Sequence, residues 1–306
     1  MSIAQSMKEE GMFGKKQIYE QDNWKIVRNR VCIRALLIFL GIILMQVFAY
    51  MVCVGGTMLY GLITNQRTTA LLENLMQANT DNGTFMILIS AVSALLSGIW
   101  CGVLYIRSDW REHPFSYRKA FSVKNVLAIA GAGAGGCVVL TFLLTGLAVV
   151  IPQAFSSYNH VMNQLTDKDI WLTVLYVLLI GPISEELIFR GAILDRFYLA
   201  FPFIAANLLQ AALFGIYHMN IVQGLYAFLL GFLLGMIRYV TGSILASMMA
   251  HILFNATSYG LDFIFPTGQD MNLFLAAILL LIGLSVCVFS LRYLWKIVCI
   301  KKEDEK

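Results

Sequence analysis

Charge is scarce in this sequence. Of its 306 residues only 13% are Asp, Glu, Lys or Arg, while 59% are hydrophobic. A soluble domain carries about 25% charged residues, so a water-facing fold is excluded and no stretch remains for a separate soluble domain. Metal-ligand spacings are missing too. The six cysteines (Cys32, Cys53, Cys101, Cys137, Cys287 and Cys299) form no CxxC pair, and nearly all fall in apolar runs. Cysteine there behaves as a small hydrophobe, so no disulfide framework is expected. The first 31 residues lack the apolar core and small-residue cleavage site of a signal peptide. They read as a basic cytoplasmic tail, with Lys25, Arg28, Arg30 and Arg34 beside Trp24 at the membrane edge. The net charge of +4 is a topology signal rather than a nucleic-acid footprint.

What is present is a series of apolar segments near the ~20 residues a spanning helix needs. They run over 33–58, 84–106, 124–151, 170–199, 203–219, 221–240, 243–264 and 272–297. The fifth and sixth join through His218-Met219-Asn220 with almost no loop. If both termini are cytoplasmic, every lysine and arginine except Arg67 and Lys168 falls on the inner side, the bias expected of that orientation. The run Gly131-Ala132-Gly133-Ala134-Gly135-Gly136 satisfies GxGxxG. A dinucleotide site needs a preceding strand and an acid about twenty residues on. Here the glycines lie inside a spanning helix, where small residues let helices approach closely.

Few ionisable residues remain within the spans. Among them are Glu185, Glu186, Arg190, His218 and His251, with Arg238 and Asp262 near helix ends, where they read as interfacial anchors or rim residues. The other two histidines, His113 and His160, lie in loops. Ionisable groups in a bilayer cost ~2.5–3.5 kcal/mol each on insertion scales and mark functional sites by default. Glu186 and Arg190 are four apart with the acid first, the favourable order for an ion pair on one helix face. Glu185 points about 100° away and has no cation of its own, which leaves it as the candidate general base or acid. Glu185 lies 17 residues before Pro202 and His218 lies 16 after it. In an antiparallel hairpin equal distances from the turn mean equal depth, so the two can face each other, ~24–25 Å along their helices from the turn; tilt or a kink near Gly215 can also bring them level with His251. His251, nine residues past Gly242, comes out shallower, at roughly 13 Å. Asn255 is one turn beyond His251, and Phe214 is one turn before His218.

Glu185-Glu186 with Arg190 is EExxxR, Phe214 with His218 is FxxxH, and His251 with Asn255 is HxxxN. In this order, on successive apolar helices, they resemble the CAAX protease and bacteriocin-processing family of intramembrane proteases. That family is also called the Abi family and includes the type II CAAX prenyl endopeptidases. The resemblance implies an all-α polytopic membrane fold of about eight transmembrane helices with a membrane-embedded active site. It implies that Glu185 activates water helped by His218, that His251 and Asn255 stabilise the oxyanion, and that Glu186, Arg190 and Phe214 support the site. A metal-free glutamate mechanism is favoured and no cofactor is expected. The alternative is a metalloprotease in which Glu185, His218 and His251 hold zinc, three ligands with an open position.

The division that follows is a basic tail over 1–31, N-terminal transmembrane helices over 32–165, a catalytic core over 166–265, and a last helix with a cytoplasmic tail over 266–306. The expected function is hydrolysis of a peptide bond in a membrane-associated or lipid-modified substrate, prenylated or leader-bearing, in a bacterial plasma membrane. Partners are that substrate and the lipid bilayer, with no nucleic acid. A non-catalytic bacteriocin-immunity or membrane scaffold protein of the same fold is the alternative. A transporter using the carboxylates and histidines as a relay is a third reading, against which no internal repeat of the EExxxR segment occurs.

Overall fold

The computed structural model describes residues 21–64, 83–107, 121–156, 158, 170–265 and 272–304. Residues 1–20 of the polar tail, the loop residues His113 and His160, and the two outer-side cations Arg67 and Lys168 lie outside the described residues. Among the described residues there is no strand. Helix α1 is Gln21–Ile63, α2 Gly83–Arg107, α3 Val123–Val150, α4 the composite helix 170–200, α5 Phe203–Tyr217, α6 Ile221–Thr241, α7 Ile244–Ile264 and α8 Leu273–Asp304. Hydrocarbon offers no partner to a backbone N–H or C=O, and a helix satisfies them within one segment. The chain is an all-α polytopic membrane protein. Its lipid-facing side chains are openly apolar, with Phe263 88% and Leu273 84% exposed.

The expected segments coincide with these helices, with two differences. Helix α1 already includes Gln21, well before the apolar run, and neither Pro nor Gly interrupts the polar residues between the two. Helix α5 does not qualify as a span, whereas the other seven do. Its 15 residues cover only ~22 Å, against a hydrocarbon thickness of ~30 Å. Pro202 sets its start, holding the preceding Phe201 extended at φ −133° and ψ 158°. Its end is a tight reversal. Met219 adopts φ 54°, and the Asn220 side chain accepts from the N–H groups of Val222 and Gln223 at 3.0 and 3.1 Å to begin α6.

Two apolar clusters share α6. One joins α1, α2, α4 and α5 around Ile188, Phe189, Ile193 and Phe214. The other joins α3, α6, α7 and α8 around Ile129, Leu234, Ile237 and Phe254. Helix α3 packs against both α7 and α8, and its glycine run makes that possible. A Cβ on Gly133 would collide with the Ala250 carbonyl, and one on Gly135 would lie 2.7 Å from the Gly283 carbonyl. The GxGxxG pattern is therefore a packing seam. Helix α2 lies directly on α4: a Cβ at Gly98 would come within 2.7 Å of Ser184 Oγ, one residue before Glu185.

Arg238 departs from its expected place as an interfacial anchor. It is 3% exposed, its Nη2 lies 3.5 Å from Asp195 Oδ2 on α4, and it donates to the Gly242 carbonyl. An acid presented by a neighbouring helix decided this. Asp262, near the end of α7, is exposed as an anchor would be.

Candidate active site

Helix α4 is not a uniform α-helix. The α-helical turn Gly181–Glu186 is flanked by π-helical segments at Tyr176–Ile180 and Leu187–Leu194. Pro182 accounts for the first. It has no N–H, and the neighbouring Gly181 N–H reaches back five residues to the Tyr176 carbonyl. Short π segments of this kind are frequent at functional sites.

The second π segment corrects the depth argument. It lies between Glu185 and the Pro202 turn, and a π turn uses more residues per turn than an α turn. Counting 1.5 Å per residue therefore sets Glu185 too deep. The histidine within ion-pair distance of it is His251, whose Nε2 lies 3.7 Å from Glu185 Oε2. Among the described residues no Glu185–His218 ion pair forms.

Glu186 and Arg190 pair as their spacing requires, with Arg190 Nη1 donating to Glu186 Oε1 at 2.7 Å and both side chains fully buried. The same carboxylate oxygen lies 3.0 Å from His251 Nδ1. A carboxylate held by a guanidinium only accepts, so Nδ1 carries the proton and Nε2 is turned toward Glu185. Arg190 is held in turn by its Nη2, which donates to the Gly231 carbonyl at 3.1 Å, and by Phe214, whose ring centroid is 4.8 Å from the guanidinium carbon. Glu185 is the carboxylate that can be reached, with 15% of its side chain exposed.

Phe214 is the hub of the aromatic packing. Its ring meets His218 at 4.9 Å and His251 at 6.2 Å, both edge-on, and Phe189 at 4.8 Å. His218 caps the end of α5, and its Nδ1 is 2.8 Å from the Phe214 carbonyl. A carbonyl only accepts, so here too Nδ1 holds the proton and Nε2 is left to act. Asn255, on α7 one turn past His251, donates from Nδ2 to the Val177 carbonyl at 2.8 Å. Every residue singled out by the three motifs thus lies in or beside one cluster built by α4, α5 and α7. Among the described residues, however, no three His, Cys, Asp or Glu side chains converge as metal ligands.

Two further residues of the site escaped the sequence reading. Gln210 Nε2 lies 2.9 Å from the Gly231 carbonyl that receives Arg190 and 2.7 Å from Asn207 Oδ1. Asn207 Nδ2 donates to the Phe232 carbonyl at 2.9 Å. Both are fully buried. Two amides three apart in an apolar helix, the second one turn before Phe214, were the available signal.

Residues 167–257 match the family model described as type II CAAX prenyl endopeptidase Rce1-like. No curated protein and no solved structure matches the chain. The matched stretch runs from the start of α4 into α7 and contains Glu185, Glu186, Arg190, Phe214, His218, His251 and Asn255. The family is one of CAAX-type membrane endopeptidases.

Proposed function

We propose, on the premise that residues 167–257 form an Rce1-like domain, that the protein is an intramembrane endopeptidase in which Glu185 activates water. The observation that carries this reading is the His251 imidazole, held at 3.0 Å by Glu186 and standing 3.7 Å from Glu185. That second gap is too long for a hydrogen bond and suits a shared water or substrate atom. Glu185, Glu186 and Arg190 sum to one net negative charge, which an imidazolium at His251 cancels. In that state each buried anion touches a cation, as burial demands.

Glu185 takes a proton from water as its oxygen adds to the scissile carbonyl. The Nε2–H of His251 donates to the oxyanion that forms. Glu185 then returns the proton to the departing amine, so one water and one amide give one acid and one amine. His218 presents Nε2 as an acceptor that helps orient the water. The substrate is a membrane-associated or lipid-modified peptide or protein. No step is routed through zinc.

The test is cleavage of farnesylated and leader-type peptides by the purified protein in detergent, with Glu185→Gln and His251→Ala alongside, each with and without a chelator. Loss of a general base costs about 10²–10⁴-fold in rate, and Glu185→Gln is expected to show it with thermal stability unchanged. Cleavage that survives Glu185→Gln sinks the mechanism. Cleavage lost to chelator and restored by zinc replaces it with metal chemistry, and a function retained without cleavage supports the scaffold.

A further inference from the structure

We propose that Asn255 is a positioning residue: its amide supplies the hydrogen bond that Pro182 removes from the backbone, and so fixes the register of the turn carrying Glu185 and Glu186. The activity readout of this proposal rests on the protease reading above; its stability readout does not.

The Val177 carbonyl shows why such a donor is needed. In an α-helical register its partner is the N–H of Gly181, but that N–H goes to the Tyr176 carbonyl. In the i→i+5 register its partner is residue 182, a proline with no N–H. Neither register supplies a backbone donor. An unsatisfied carbonyl at membrane depth is costly, and Asn255 Nδ2 donates to it at 2.8 Å from α7. One turn earlier on the same helix, His251 Nδ1 engages Glu186 at 3.0 Å. Helix α7 therefore grips α4 at two points, one on each side of Pro182, and rotation of α4 about its axis breaks both. Through this grip Asn255 sets which way the two carboxylates face.

The experiment exploits the proline. Pro182→Ala returns an N–H to position 182, within the i→i+5 reach of the Val177 carbonyl. Asn255→Ala is made in the native and the Pro182→Ala backgrounds of the full-length protein, and kcat, KM and Tm are measured in detergent. In the native background the expected result is a loss in kcat on the order of 10-fold, the scale of one unsatisfied buried polar group, with KM little changed and Tm lowered. In the Pro182→Ala background the same substitution is expected to change kcat and Tm far less, because the backbone now fills the role. Asn255→Leu, close in shape and with no polar hydrogen, is expected to behave as Asn255→Ala in both.

An oxyanion donor gives the opposite pattern: an equal loss of about 10²–10³-fold in kcat in both backgrounds, with Tm unmoved. That pattern, or a Tm that falls equally in both backgrounds, overturns the proposal. If Asn255→Ala folds only with Pro182→Ala present, the proposal is upheld. If no variant cleaves peptide, the Tm comparison alone decides.

Discussion

Arg190→Met isolates what the buried pair contributes. Arg190 is fully buried and has three contacts: Glu186 at 2.7 Å, the Gly231 carbonyl at 3.1 Å and the Phe214 ring at 4.8 Å. Removing the cation leaves Glu186 buried with the His251 Nδ1 donor, at 3.0 Å, still beside it. Breaking a buried ion pair by deleting one partner costs about 3–5 kcal/mol. At roughly 2–4 °C per kcal/mol for a chain of this order of size, the melting temperature is expected to fall by roughly 6–20 °C. Replacing both partners is a different perturbation, because no uncompensated charge remains. The Glu186→Gln/Arg190→Met double variant is therefore expected to be more stable than the sum of its single variants by about 1–3 kcal/mol. Thermal unfolding of the four proteins in one detergent at pH 7 gives the cycle. Additivity within about 0.5 kcal/mol would show that the two charges do not depend on each other, and the account of Glu186 as a carboxylate held by Arg190 would fail.

Other substitutions probe the rest of the site. Phe214→Ala is expected to cost ~3–5 kcal/mol, as for a large core aromatic, and to lower kcat as well because both histidine rings lose their common support. Gln210→Leu removes the second donor from the Gly231 carbonyl and is expected to cost about 1–3 kcal/mol, with a smaller effect on cleavage than Arg190→Met. Gly98→Val drives a side chain into Ser184 Oγ, which even a Cβ alone would approach to 2.7 Å. Its expected cost is about 1–3 kcal/mol of overpacking, with cleavage more impaired than thermal stability. A loss of stability without a loss of cleavage would show that α2 does not hold the turn carrying Glu185 in place.

The all-helical membrane character was legible because ~20-residue apolar runs have few other fates. The Glu186–Arg190 pair was legible because i,i+4 geometry is local. Sequence order also named the cluster of Glu185, Phe214, His218, His251 and Asn255 before any contact was known. Order did not by itself give the contacts. Equal residue counts from Pro202 set Glu185 opposite His218, whereas the histidine within 4 Å of its carboxylate is His251, and the π segment Leu187–Leu194 makes the rise along α4 depart from that count. Arg238 looked like an anchor because its partner, Asp195, is 43 residues away in sequence.

By itself the sequence determined which elements are helices, that they are apolar enough to lie in a membrane, and which ionisable residues the membrane would force into partnership. Those follow from local periodicity and from the penalty hydrocarbon places on unpaired polar groups. Only the tertiary structure decided which partner each group received. It set His251 between the two glutamates, put the Arg190 and Gln210 donors on one carbonyl of α6, and placed Asn255 on the carbonyl that Pro182 leaves without a donor. Those choices depend on where one helix meets another, and small changes of helical register at Pro182 and beyond Glu186 are enough to alter them.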